Sequence, residues 1–280
     1  MKPQYFSAMN RAIKNRTKGQ RHHGMITNLV SPSGIGNDLK PFVFLDYIHG
    51  VPPQGAGFGW HPHSGISTFT YYIAGGSDLE ESTGNKVSFR AGDIEYLQAG
   101  SGAWHKGILI KDQPTLGFQL WISLPPELET ADAKSVYITS DEISGNDHFK
   151  LLLGEYEGLK SKIQPPNDMN YLDVNLGPDE KWTYAPPESH DVLWLVVYEG
   201  KLSGSLLASV GELIVYEEGK QPIELSSEHG ASFLLGSAKK FEHNLIMERG
   251  SIHTSRDSMQ TSQNKINMTY SELVKKGVFE

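Results

Sequence analysis

Cysteine is absent from all 280 residues. Disulfide scaffolds, thiolate metal sites and cysteine nucleophiles are therefore excluded, and a reducing compartment is tolerated. Long apolar runs are also missing: none approaches the roughly 18 residues that a membrane span needs. The first residues, MKPQYFSAMNRAIKNRTKG, contain no apolar core of signal-peptide type, so the expected location is cytoplasmic. Positive charge is in deficit, with 25 Lys and Arg against 33 Asp and Glu and a net charge of −8. That balance argues against bulk electrostatic binding of nucleic acid. No helix-turn-helix pattern or zinc-finger spacing is visible either. The exception is the N-terminal arm, where Lys2, Arg11, Lys14, Arg16, Lys18 and Arg21 fall within residues 1–25 without one acid. Solvation, or packing on the protein's own acidic remainder, is the plainer expectation for such an arm.

What is present is glycine and short strands. The 29 glycines exceed the usual share of roughly 7% and imply many turns. Residues 66–73, 86–90, 93–97, 116–123, 192–198 and 212–216 are short and rich in β-branched and aromatic side chains. Segments 137–143 and 149–156 also have strand composition. Helix signals are few: Thr269 and Glu272 suggest a capping box ahead of Leu273 and Val274, and Pro125-Pro126-Glu127 suggests a short helix start. Segment 71–94 runs strand, Gly75-Gly76, turn, Gly92-Asp93-Ile94, and segment 196–214 repeats that order around Gly200 and Gly211. The expected class is all-β, with two antiparallel barrels of jelly-roll type and a few short helices. The expected division is residues 1–138 for the first barrel and 139–280 for the second, which carries the C-terminal helix.

Three of the eleven histidines stand out by position. His61 and His63 flank Pro62 in GWHPHSG just before a strand, and residues i and i+2 of an extended chain share a face. His105 follows the glycine-rich turn Gly100-Ser101-Gly102, where a returning strand would bring it beside the pair. Three neutral imidazoles inside a barrel suit a divalent first-row metal. The alternative is three ordinary loop histidines, since an isolated H-x-H is a short motif.

This arrangement is that of the cupins, and the sequence resembles the pirin family, two-barrel cupins of bacteria and eukaryotes. The matching pieces are PFVFLDYI (41–48), GFGWHPHSG (57–65), GDIEYLQAGSGAWH (92–105), GFQLWISLP (117–125), LLLGEYEG (151–158), NYLDVNLGP (170–178) and NLIMERGSIHTS (244–255). The resemblance implies a metal in the N-terminal barrel only, the C-terminal one having lost its ligands and keeping just His190 nearby. The metal is usually iron, so Fe(II) is expected, with nickel, zinc, copper or no metal as alternatives. The carried-over ligands are His61, His63 and His105. The family's glutamate ligand falls on Gly107, which cannot ligate, and a second acidic position falls on Ser67. An acid often preceding the motif is Trp60, and an arginine often following it is Ser64.

By the same resemblance some members are quercetin 2,3-dioxygenases, and others are regulators acting through protein partners. A dioxygenase needs a redox-competent metal and a base for the flavonol 3-hydroxyl. Glu95, on the strand before His105, is the candidate base, and Phe58, Trp60, Ser67 and Gly107 are the candidate substrate-pocket residues. Two readings stay open: a weak quercetinase-type enzyme on a small aromatic molecule such as a flavonol, or a non-enzymatic protein-binding pirin with a degenerate site. The altered metal surroundings weigh against the enzyme.

Overall fold

The computed structural model describes residues 11–279. They fall into two compact units, a first of residues 19–143 with 241–279 and a second of residues 11–18 with 144–240. Against the expected division at 138, the two ends of the chain change places. The basic arm forms the strand Ile13–Thr17, which pairs with Leu213–Tyr216 in the second unit. Arg16 there reaches Glu212 at 2.8 Å. The guanidinium of Arg11 is buried on the carbonyls of Glu217 and Asp191. The arm therefore packs on acidic and carbonyl groups of its own protein. Lys2 lies outside the described residues.

In the first unit, seven antiparallel strands form one sheet in the order Lys134–Ile138, Ile94–Gln98, Ile66–Ala74, Thr115–Ser123, Phe42–Gly50, Ile26–Val30 and Gln20–His23. Ile66–Ala74 is buried along nearly its whole length, as its run of β-branched and aromatic residues demands of a central strand. A second sheet has the order Gly57–His63, Ala103–Leu109, Ser77–Glu81 and Lys86–Phe89. The two sheets meet through Ile48 and Tyr72 on one side and Leu79, Phe89 and Leu109 on the other.

The second unit repeats the plan. Its seven-stranded sheet runs Ile13–Thr17, Leu213–Tyr216, Val192–Leu202, Ala231–Ala238, Met169–Leu176 and Phe149–Leu153, with Ala208–Ser209 added beside Val192–Leu202. A two-stranded sheet pairs Glu180–Tyr184 with Ile223–Ser227. Its hydrophobic core is built on Trp182, Tyr184, Leu195, Leu225 and Phe233.

Two sequence expectations need correction. Of the segment 137–143, the end of the strand Lys134–Ile138 is extended, but Ser140–Glu142 is a 3-10 turn closed by Thr139 and Glu142 as a capping box. The C-terminal helix is longer than the Thr269 and Glu272 signal suggests. It spans Arg256–Lys275 and begins at Ser255, whose hydroxyl accepts the Ser258 N–H, so Thr269 sits in its interior. Its buried positions, Met259, Ser262, Ile266 and Leu273, form a sparse stripe that hides the helix in sequence. The short helix at Pro126–Leu128 is present as a 3-10 turn. No helix among the described residues is long and apolar enough to cross a membrane.

Candidate metal centre

The strands Gly57–His63 and Ala103–Leu109 pair antiparallel with His105 directly opposite His61, and His63 opposite Ala103. Alternation along the first strand turns His63 to the same side as His61. One candidate ligand nitrogen from each of the three residues lies within 4.8 Å of the others. The Nε2 atoms of His105 and His61 are 3.0 Å apart. Among the described residues this is the one such cluster of histidine or carboxylate groups.

Backbone carbonyls orient two of the rings. His61 Nδ1 donates to the Gly59 carbonyl at 2.7 Å, and His63 Nδ1 donates to the Gly250 carbonyl at 2.8 Å. Those bonds assign the proton to Nδ1 and leave Nε2 as a bare lone pair on both rings. Burial, and then the neighbouring His105, pushes His61 down to about 4 and His63 well below the ordinary histidine range. Both are therefore neutral near pH 7. His63 Nε2 is buried without a hydrogen-bond partner, a situation that costs about 1–3 kcal/mol unless a partner is supplied. Converging lone pairs, one of them orphaned, fit a divalent cation; His donors suit zinc, copper, iron and nickel.

His105 is backed by a carboxylate. Its Nδ1 lies 3.5 Å from Glu95 Oε1, while Glu95 Oε2 accepts the Thr70 hydroxyl at 2.7 Å. Glu95 is 1% exposed and points inward from Ile94–Gln98. A narrow cleft opens over the cluster, walled by Ile48, Phe58, Tyr72, Leu79, Gly107 and Gln119, with Glu95 and Thr70 at its side.

Comparison with known proteins places this geometry. The pirin family model matches residues 21–122. A pirin-like protein of Arabidopsis thaliana is 30% identical over 241 residues, covering 82% of this chain and 88% of its own. The chain belongs to the pirin family. Among solved structures, a quercetin 2,3-dioxygenase from Acinetobacter baumannii superposes with a TM-score of 0.82 at 22% identity, covering 92% of this pirin and 97% of itself. A bacterial pirin of Escherichia coli in complex with nickel(II) gives 0.63 at 21% identity, covering 82% and 98%. At these identities the likeness concerns the fold.

Of the four pocket residues expected from the sequence, this pirin brings two to the cleft. Phe58 lies against His61 with ring centroids 6.0 Å apart, and Gly107 lines the opening. Trp60 goes elsewhere. The pairing shifts register between His105 and Gly107, so two residues of the first strand, Gly59 and Trp60, answer Lys106 alone on the second. This bulge puts Phe58 on the histidine side and turns Trp60 away. Trp60 instead meets Phe279, which also packs on Trp104 and Tyr270, and Lys106 lies over its ring at 5.5 Å. Ser67 also faces away: it donates to the Tyr96 hydroxyl at 2.9 Å, on the side of the sheet opposite Thr70 and Glu95.

Sequence reasoning missed several residues at the site. Trp121 packs edge-on against the His63 ring at 4.8 Å, and Gln119 lines the cleft one alternation away on the same strand. The strand motif GFQLWISLP was visible, but nothing in it marks which face looks inward. Gly250 was missed because its contribution is a backbone carbonyl. At Gly107 a Cβ would meet nothing within 4 Å, so the position of the missing carboxylate is open space.

Proposed function

We propose that this pirin holds a divalent first-row metal on His61, His63 and His105 and supports a weak oxidation of quercetin 2,3-dioxygenase type on a flavonol. The observation carrying this reading is the convergence of three imidazoles, two of them fixed by carbonyls with Nε2 facing the shared point. It is supported by the fold shared with a protein named quercetin 2,3-dioxygenase and with a pirin that binds nickel(II). Iron(II) is the first candidate, with nickel, zinc and copper as alternatives. In this reading both units are cupin barrels of jelly-roll type and the protein is cytoplasmic.

A bound metal would supply Lewis acidity toward the flavonol 3-oxygen and, if redox-active, access to oxygen. The chain's own part is to hold and shield. Ile48, Phe58, Tyr72 and Leu79 line the cleft with apolar groups and Gln119 offers one polar contact, but the cleft's free volume of about 20 Å³ requires these side chains to move apart before a flavonol enters. Glu95 lines the cleft, with Oε2 accepting the Thr70 hydroxyl and Oε1 without a hydrogen-bond partner 3.5 Å from His105 Nδ1, so it stands as the weak candidate base in this reading. A positioned base is typically worth 10²–10⁴-fold, and with one set to the side of the cleft turnover is slow.

The second reading is a non-enzymatic, protein-binding pirin with a degenerate metal site, consistent with a Gly107 position that no side chain refills. Metal analysis of anaerobically purified protein, then oxygen uptake with a flavonol panel, separates the two. Gly107→Glu should raise metal occupancy because its side chain enters open space, and should raise uptake if the new carboxylate reaches the substrate proton. Iron-loaded parent and Gly107→Glu proteins that both lack flavonol-dependent uptake would end the enzyme reading.

A further inference from the structure

Behind the Gly250 carbonyl stands a buried polar chain that the metal reading leaves unexplained. The hairpin Ile246–Glu248 and Ser251–His253 turns through Arg249 and Gly250, with φ of 41° and 84°. Two successive positive φ values mark a type I′ turn, whose twist suits a tight hairpin. The hairpin reaches the end of the histidine strand because residue 65 is glycine: a Cβ there would lie 1.9 Å from the Ile252 carbonyl oxygen. Ser64 bridges to Ser251, and the Ile252 N–H donates to the Ser64 carbonyl at 3.1 Å.

The side chains extend this contact. Ser64 Oγ donates to Ser251 Oγ at 2.9 Å and lies 2.9 Å from His253 Nε2. His253 Nδ1 lies 3.4 Å from Glu129 Oε2. Glu129 also accepts the Thr254 N–H and the Ser258 hydroxyl, each at 2.6 Å. Burial would raise the Glu129 carboxyl, but hydrogen bonds from His253, Ser258 and Thr254 outweigh it and hold the group below the usual carboxylate range. Serine, histidine and carboxylate in that order are the parts of a hydrolase triad. Here Ser64 and His253 are 0% exposed and Glu129 is 1% exposed, so no substrate can meet the serine oxygen. The function must be internal.

We propose that Glu129, His253, Ser64 and Ser251 form a positioning chain for His63. By locking the hairpin onto the strand end, the chain keeps the Gly250 carbonyl on His63 Nδ1–H and aims His63 Nε2 at the centre. The purpose, though not the geometry, rests on the metal reading above. Partners beyond the direct ligands typically change metal affinity by 10–100-fold, and the hydrogen bonds of Ser64 to Ser251 and His253, with those of Glu129 to Thr254 and Ser258, restrict the hairpin.

Ser64→Ala and His253→Gln test the proposal through two readouts, the ¹⁵N imidazole shifts of metal-free protein and calorimetric nickel(II) titration. The parent should show His63 protonated on Nδ1 alone. In both variants His63 should become a mixture of tautomers while His61 stays on Nδ1, and the nickel Kd should rise about 10–100-fold. Ile266→Ala, a lesion in the helix core away from the chain, should lower the Tm without moving the His63 tautomer. The proposal is overturned if His63 carries its proton on Nε2 in the parent. It is equally overturned if the folded variants keep the parent tautomer and an affinity within about twofold, well under the outer-partner range, or if Ile266→Ala shifts the tautomer as far as they do. A parent that binds no nickel removes the metal reading alone, since the tautomer measurement needs no metal.

Discussion

In the first unit the strand pair Gly57–His63 and Ala103–Leu109 sets His61 against His105, with His63 two residues on. In the second unit the corresponding pair, Glu180–Tyr184 and Ile223–Ser227, sets Trp182 against Leu225, with Tyr184 two residues on. The large sheets follow one strand order, and even Leu45-Asp46 and Leu172-Asp173 occupy matching places, each aspartate buried and bonded, to Asn28 and to Tyr198. One framework therefore tolerates two interiors. An aromatic and aliphatic filling needs little beyond packing, whereas two of the imidazoles are held by the Gly59 and Gly250 carbonyls and the third lies 3.5 Å from the Glu95 carboxylate. The difference teaches that a polar interior of this kind depends on its surroundings, and a dry one on its volume.

The comparison breaks first at Trp182. Its replacement by alanine should cost about 3–5 kcal/mol, the usual range for emptying a buried tryptophan site, read from urea unfolding. Nickel binding by folded Trp182→Ala protein should match the parent, and a coupled loss would show that the two interiors are not independent. His105→Ala should do the reverse, lowering nickel affinity by more than the 10–100-fold typical of outer partners with a smaller change in the urea midpoint. Retained affinity would remove His105 from the ligand set.

The paired aspartates give a pH test. Burial pushes the Asp46 carboxyl up to about 6, opposed in part by its hydrogen bond from Asn28. Folding thus favours the protonated form. The stabilising contribution is complete below about pH 4, the unfolded value, and is lost as pH rises through about 6. Two pKa units correspond to about 3 kcal/mol. Asp46→Asn should remove that much of the parent's fall in stability between pH 4 and 7, and an unchanged profile would clear Asp46 as its source. The smallest effect belongs to the arm: Arg16, 42% exposed at its ion pair with Glu212, should contribute less than about 1 kcal/mol and less still in high salt. Arg16→Ala costing more would mark the arm as structural in its own right.

The parts legible in the sequence were those with a local signature. H-x-H before a strand, and a histidine after a glycine-rich turn, are patterns a reader can match, and His61, His63 and His105 do converge. The open position at Gly107 was equally visible. Trp60 lies outside the cleft because one bulge inverts the alternation between it and Phe58, and no residue type announces a bulge there. The direction of Ser67 was not legible because its strand is buried on both faces, so apolar alternation cannot tell inward from outward. His253 and Glu129 lie 124 residues apart in sequence and meet through the fold, and the carbonyl of Gly250 carries no side-chain signal.

The hydrogen bond that orients His63 spans 187 residues, and it has a consequence in time. During synthesis the histidine strands leave the ribosome first, the entire 144–240 stretch follows, and only then does the hairpin bearing Gly250 emerge. Closure entropy grows only with the logarithm of loop length, so the separation weakens the finished contact little. It does impose an order. A newborn chain can form its sheets around His61 and His105 while His63 is still free to turn, and the three-histidine cluster is completed among the last events of folding.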